Sequence, residues 1–198
     1  MDPVFLIYQG TEMKKISDWL NKISSGWVAL ICLAIFLLFS ALILPNQAEE
    51  ANVYSGEVGS PDMSFYYSAD ELYQFAEAYG PQGRSDYVRA RLTFDVVFPL
   101  VYLAFLTTAI AWATQKTGKE GRFWQRLNLV PVFGLLFDYL ENGAAAIVMA
   151  RYPETTPILP TLAGIFTTIK WIFIGGSFAI LVLVLSMAVW KWIRKKVR

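Results

Sequence analysis

Asp138, Glu141 and Asn142 stand inside an apolar run of the second half of the chain, in the stretch Phe137-Asp138-Tyr139-Leu140-Glu141-Asn142. At helical spacing the three are related by i, i+3 and i+4, so their side chains leave one helix face. Two carboxylates beside an amide can accept hydrogen bonds, bind an ion, pass protons or serve as general acid and base. Near the centre of a bilayer each carboxylate would cost roughly 2.5–3.5 kcal/mol on insertion scales. The face is therefore expected to turn into a helix bundle and meet partners there.

Two other pairs supply those partners. Arg91 and Asp95 are i, i+4 and can pair directly. Thr167 and Lys170 share a face of the last apolar run. Arg89 stands near Arg91, so Asp95, Asp138 and Glu141 face Lys170, Arg89 and Arg91, three negative groups against three positive ones and neutral when all are ionised. An unpaired buried ion costs several kcal/mol, so one connected network is expected. Arg91, Asp95, Asp138, Glu141, Asn142, Thr167 and Lys170 are the candidate ligand-binding residues, and Asp138 and Glu141 the candidate catalytic ones.

The rest of the composition bounds the class. Of the 198 residues, 56% are hydrophobic and 17% charged, with a mean hydropathy of +0.42, where soluble domains carry about a quarter charged. This is the signature of an integral membrane protein. The net charge of +1 and the short basic segments give no groove-binding face, so no nucleic acid is expected. Cys32 is the single cysteine and histidine is absent, which removes a disulfide framework, histidine-based zinc sites and Ser-His-Asp chemistry. No metal and no cofactor is expected, although an all-carboxylate site for a hard cation stays open.

The elements that must position the charged residues follow from hydropathy. Four apolar segments long enough to cross about 30 Å of hydrocarbon are predicted at about 27–44, 91–113, 127–150 and 162–192. The first reads as an anchor and not as a cleaved signal, because it exceeds the roughly 7–15 residues of a signal core. Pro99 is predicted to kink the second helix, and Gly175-Gly176 to offer a packing or bending point in the fourth. Gly134 and Ala145 flank the acidic stripe and would let a neighbouring helix approach. The basic stretch around Lys14, Lys15 and Lys22, with Ile16, Trp19 and Leu20, reads as a short helix on the cytoplasmic interface.

Between the first two spans, residues 45–83 are polar and rich in Tyr and Phe. Ser68-Ala69-Asp70-Glu71 has the form of a capping box, and Leu72, Phe75, Ala76 and Tyr79 follow at helical spacing before Gly80-Pro81. The spacing predicts an amphipathic helix over about 69–80, on the outer membrane surface or capping the bundle. Tyr66, Tyr67, Tyr73 and Tyr79 read as an interfacial belt. Gly80-Pro81-Gln82-Gly83-Arg84 has the glycines of a phosphate-binding turn with an arginine beside them, but no preceding strand and no P-loop lysine, and reads as a helix-linking turn.

Twelve basic residues, Lys14, Lys15, Lys22, Lys116, Lys119, Arg122, Arg126, Lys191, Arg194, Lys195, Lys196 and Arg198, fall on one predicted side. By the positive-inside rule that side is cytoplasmic and holds both termini of a multi-pass cell-membrane protein. Asp95, Asp138, Glu141 and Lys170 then lie in the outer half. The fold class is all-α: one membrane domain over 1–198, a four-helix transmembrane bundle with an extracytoplasmic amphipathic helix.

The stretches YGPQGRSDYVRARLTFDVVFPLVYLAFL, FDYLENGAAAIVMARYP and FTTIKW resemble a family of small four-span bacterial integral membrane proteins over roughly residues 70–175. Its pattern has an arginine and aspartate on span two, Asp-x-x-Glu-Asn on span three and Thr-x-x-Lys-Trp on span four. Here these are Arg91 and Asp95; Asp138, Glu141 and Asn142; and Thr167, Lys170 and Trp171. The resemblance implies a four-span fold and a polar site, and brings no activity. The function expected from the residues is binding or translocation of a small polar or amphipathic ligand, a lipid headgroup or an ion, with membrane lipids as surroundings. The alternatives are a membrane enzyme using carboxylate acid/base chemistry on a lipid-like substrate, or an accessory subunit whose charges lock helix packing.

Overall fold

A computed structural model describes residues 3–55, 58–119 and 121–197, with the side chains of residues 3–11 and of Arg122 outside the described ones. The apolar start at Val4 to Tyr8, Glu57 and Arg198 therefore contribute no side-chain observation below. Helices follow one another as α1 (Pro3–Ile23), α2 (Gly26–Leu38), α3 (Leu44–Ser55), α4 (Ala69–Ala78), α5 (Gly80–Leu92), α6 (Phe94–Thr117), α7 (Arg122–Arg126), α8 (Val130–Arg151) and α9 (Leu159–Val197). No strand occurs among the described residues.

Four helical stretches are long and apolar enough to cross a membrane: Gly26–Ser55, Gly80–Thr117, Phe123–Arg151 and Leu159–Val197. The first is longer than the apolar run because helix continues past Pro45. A π-helical turn at Phe39–Ile43 precedes the proline, and the Leu44 N–H bonds to the Phe39 carbonyl five residues back. The wider turn accommodates a ring that would otherwise press on the carbonyl four residues earlier.

The second stretch breaks at Thr93 (φ −122°, ψ −78°), not at Pro99, which sits inside α6. The Thr93 hydroxyl donates to the Arg89 carbonyl at 2.8 Å, a side-chain bond that competes with continued helix. The carbonyl freed by Pro99 is that of Asp95, in the first turn of α6, where losing one backbone bond disturbs the helix least.

The α8–α9 pair makes the most extensive contact in the fold, with α6 packed on both. Gly134 permits this approach: a Cβ there would stand 3.0 Å from the Ile174 side chain. Gly175 and Gly176 face open space, so they are not a packing point, and α9 stays helical through them. The core between α2, α6 and α9 is apolar, with Phe105, Leu106, Ile110, Leu181 and Val184 buried.

The two ends of the bundle differ. At one end α1 packs beneath α6 and α7. Ser17 donates to the Gln125 carbonyl at 2.7 Å, and Gln115 donates to the Asn21 carbonyl at 2.7 Å. The opposite face of α1 leaves Ile16 and Trp19 exposed. At the other end α4 rests on α8 and α9 with Leu72 and Ala76 buried.

The predicted capping box is present, Glu71 N–H to the Ser68 hydroxyl and Ser68 N–H to the Glu71 carboxylate. These bonds hold the Glu71 carboxyl below its ordinary value of 4.5. Gly80, at φ +61°, takes the left-handed conformation that ends α4, and Pro81 starts α5 at once.

Candidate functional site

The acidic stripe of α8 faces the bundle interior, where Asp138, Glu141 and Asn142 are all buried. From α9, Lys170 pairs with Glu141, with side-chain exposures of only 6% and 1%. Thr167, one turn before Lys170, is fully buried and its hydroxyl faces the Glu141 carboxylate. From α6, the Tyr102 hydroxyl donates to Asp138 at 2.9 Å. Asn142 donates to the other Asp138 oxygen at 2.9 Å, so both carboxylate oxygens are engaged.

Arg91, in the last turn of α5, joins this core to the α4 end. It donates to the Asn142 side-chain oxygen at 3.2 Å, pairs with Asp95 at 2.9 Å, and pairs with Asp62. Its guanidinium lies over the Tyr87 ring, 4.3 Å from the centroid, a cation–π contact that adds to its fixation. The turn at Thr93 matters here: it separates α5 from α6 while leaving Arg91 and Asp95 close enough to pair.

The connection between α3 and α4 supplies two residues that sequence reasoning missed. Asp62 lies in the short 3-10 turn Pro61–Met63. Tyr67 is 1% exposed and donates its hydroxyl to Glu141 at 3.2 Å. Burial first, and the neighbouring Glu141 charge second, push the Tyr67 phenol well above its ordinary value, so it stays a hydrogen-bond donor. α9 pins the same connection, with Trp171 donating to the Ser64 carbonyl at 3.1 Å and Thr168 to the Phe65 carbonyl at 3.1 Å. Where the backbones meet, a Cβ at Gly164 would run into the Tyr67 carbonyl.

All seven predicted residues, Arg91, Asp95, Asp138, Glu141, Asn142, Thr167 and Lys170, thus meet in one place. Arg89 does not: it is exposed, because α5 presents Tyr87 and Arg91 inward, and a residue two positions from Arg91 leaves the opposite side. Tyr67 is a partner of the buried acids and not part of a belt; of the four tyrosines only Tyr66 is largely exposed. Tyr102, seven residues after Asp95, carried a legible signal in that spacing. Asp62 carried none, since it sits in a connection without periodicity.

Replacing Arg89 by Asp62 changes the charge balance. Four carboxylates, Asp62, Asp95, Asp138 and Glu141, meet two cations, Arg91 and Lys170, a formal −2 when all are ionised. Among the described residues no three of the acids converge as a metal-ligand set; they are strung along the network in pairs. The polar chain runs from Asp62 and Asp95, which keep 23% and 15% side-chain exposure, inward through Arg91 and Asn142 to Asp138 and Tyr102. Beyond Tyr102 lies the apolar core of Phe105, Leu106 and Ile110.

The fold and site define an all-helical chain with four helices fit to cross a membrane and a buried, acid-rich polar cluster at one end of its bundle. No family model, no curated protein and no solved structure matches the chain.

Proposed function

We propose that this is a multi-pass membrane protein that takes up a small cation at the buried acidic cluster, with protons occupying the surplus carboxylates when the cation is absent. One observation carries the reading: four carboxylates share a network with two cationic side chains. A formal −2 in low-dielectric surroundings costs several kcal/mol, and bound positive charge removes that cost. An ionisable group within a membrane helix is by default a functional-site hypothesis. The basic end, with α1 and the last turn of α9, is cytoplasmic by the positive-inside rule, so the cluster opens outward through Asp62 and Asp95. Because the polar chain stops at Tyr102, uptake is into an occluded site, and passage across the membrane requires a second arrangement of the bundle.

The test is proton counting on protein reconstituted in liposomes with a pH-sensitive dye. Addition of sodium, potassium or a small alkylammonium outside should displace protons from the wild type but not from Asp138→Asn/Glu141→Gln. Equal traces from both proteins with every cation would rule the reading out.

A structural role for the same network is the second reading, favoured by the protein partner that each acid already has. Intramembrane polar contacts of about 0.6–2 kcal/mol specify packing. It predicts that Asp138→Asn/Glu141→Gln loses stability while wild-type protein releases no protons.

A further inference from the structure

Away from the cluster, the α4–α5 junction Gly80-Pro81-Gln82-Gly83-Arg84 opens on a crevice of about 330 Å³ between the start of α5 and the end of α8. Pro81, Arg84, Ser85 and Val88 form one wall, and Met149, Ala150 and Tyr152 the other. Arg84 is held in place: one guanidinium nitrogen donates to the Ala76 carbonyl at 2.8 Å, and the group lies over the Tyr152 ring, 4.6 Å from its centroid. No carboxylate pairs with it among the described residues, and none lines the crevice. The Ser85 hydroxyl beside it likewise makes no hydrogen bond among the described residues.

We propose that this crevice binds the phosphate of an anionic phospholipid. Arg84, with N–H groups left over after the bond to Ala76, and Ser85 offer donors to phosphate oxygens, and a planar guanidinium is suited to two of them at once. The partly exposed Val88 continues the crevice as apolar surface, which suits an acyl chain and not a free phosphate. The volume is at the small end of ligand sites, enough for a headgroup with the chains outside. The wall carries one positive charge and no acid, so it selects a net-negative headgroup over a zwitterionic one. The site rests on the membrane reading for its ligand but not on cation uptake at the cluster, from which it differs in every lining residue.

Native mass spectrometry of the full chain in a neutral detergent tests this with dioctanoyl phosphatidylglycerol, dioctanoyl phosphatidylcholine and inorganic phosphate as probes. The expected result is a retained phosphatidylglycerol, weakened roughly tenfold or more by Arg84→Gln and about threefold by Ser85→Ala, with phosphatidylcholine bound weakly in all proteins. Ser85→Ala is the safeguard should Arg84→Gln lose its helical circular dichroism. Equal binding of the two lipids, equal binding by wild type and both variants, or displacement of the lipid by millimolar inorganic phosphate would overturn the proposal. Proton release with Asp138→Asn/Glu141→Gln is read separately, so failure of cation uptake leaves this outcome distinct.

Discussion

Lys170 of α9 and Glu141 of α8 form an ion pair almost wholly removed from the surface. Tyr67 holds one carboxylate oxygen and Lys170 the other. The pair therefore joins the two most tightly packed helices to the connection that covers their end. Breaking it from one side leaves a bare charge. Lys170→Met should lower unfolding stability by about 3–5 kcal/mol, whereas Lys170→Met/Glu141→Leu should recover most of that loss. Denaturant unfolding of the detergent-solubilised protein measures both, and equal losses would show that the charge pairing is not what holds this junction.

Asp62 binds the α3–α4 connection to Arg91 and adds one of the two surplus negative charges. Asp62→Asn should speed hydrogen exchange in residues 58–68 and reduce the number of protons released by cations, without loss of the α8–α9 pairing. Exchange mass spectrometry with the liposome dye assay reads the two effects on the same sample. Faster exchange with an unchanged proton count would assign Asp62 to holding the connection alone.

Two helical glycines separate close approach from mere conformation. Gly164→Ala places a methyl against the Tyr67 carbonyl, and such overpacking costs about 1–3 kcal/mol. Gly143→Ala points into open space and should be neutral or stabilising by up to about 1 kcal/mol, since alanine is the better helix residue. Thermal melts of the pair should diverge in opposite directions. A parallel drop would mean that the fit at Tyr67 is loose.

The capping box ties helix formation in α4 to pH. Because the Glu71 carboxyl is held below its ordinary 4.5 by the Ser68 backbone and side chain, its contribution is complete above pH 4.5 and is lost as pH falls through the lowered value. Protection of the α4 amides should fade on acidification in the wild type. In Ser68→Ala, where the cap itself is worth about 1 kcal/mol, protection should be lower at neutral pH and show a smaller acid dependence.

Much of this molecule is legible in the chain. The four apolar runs, the Ser68–Glu71 cap and the spacing of Asp138, Glu141 and Asn142 are local patterns. Local periodicity sets which side chains leave a helix together, and the cost of a charge in an apolar run requires that they turn inward. That physics brings Arg91, Asp95 and Lys170 to the stripe. It could not reveal which neighbours complete the balance. Arg89 was exchanged for Asp62 because the rotation of α5 and the path of an irregular connection are set by packing, by the turn at Thr93, and by the close contact of Gly164 with the Tyr67 backbone. The sequence alone determined that acids and bases must meet in the bundle. Only the tertiary structure decided that acids outnumber bases where they meet, because that count depends on a loop residue whose position no helical period dictates.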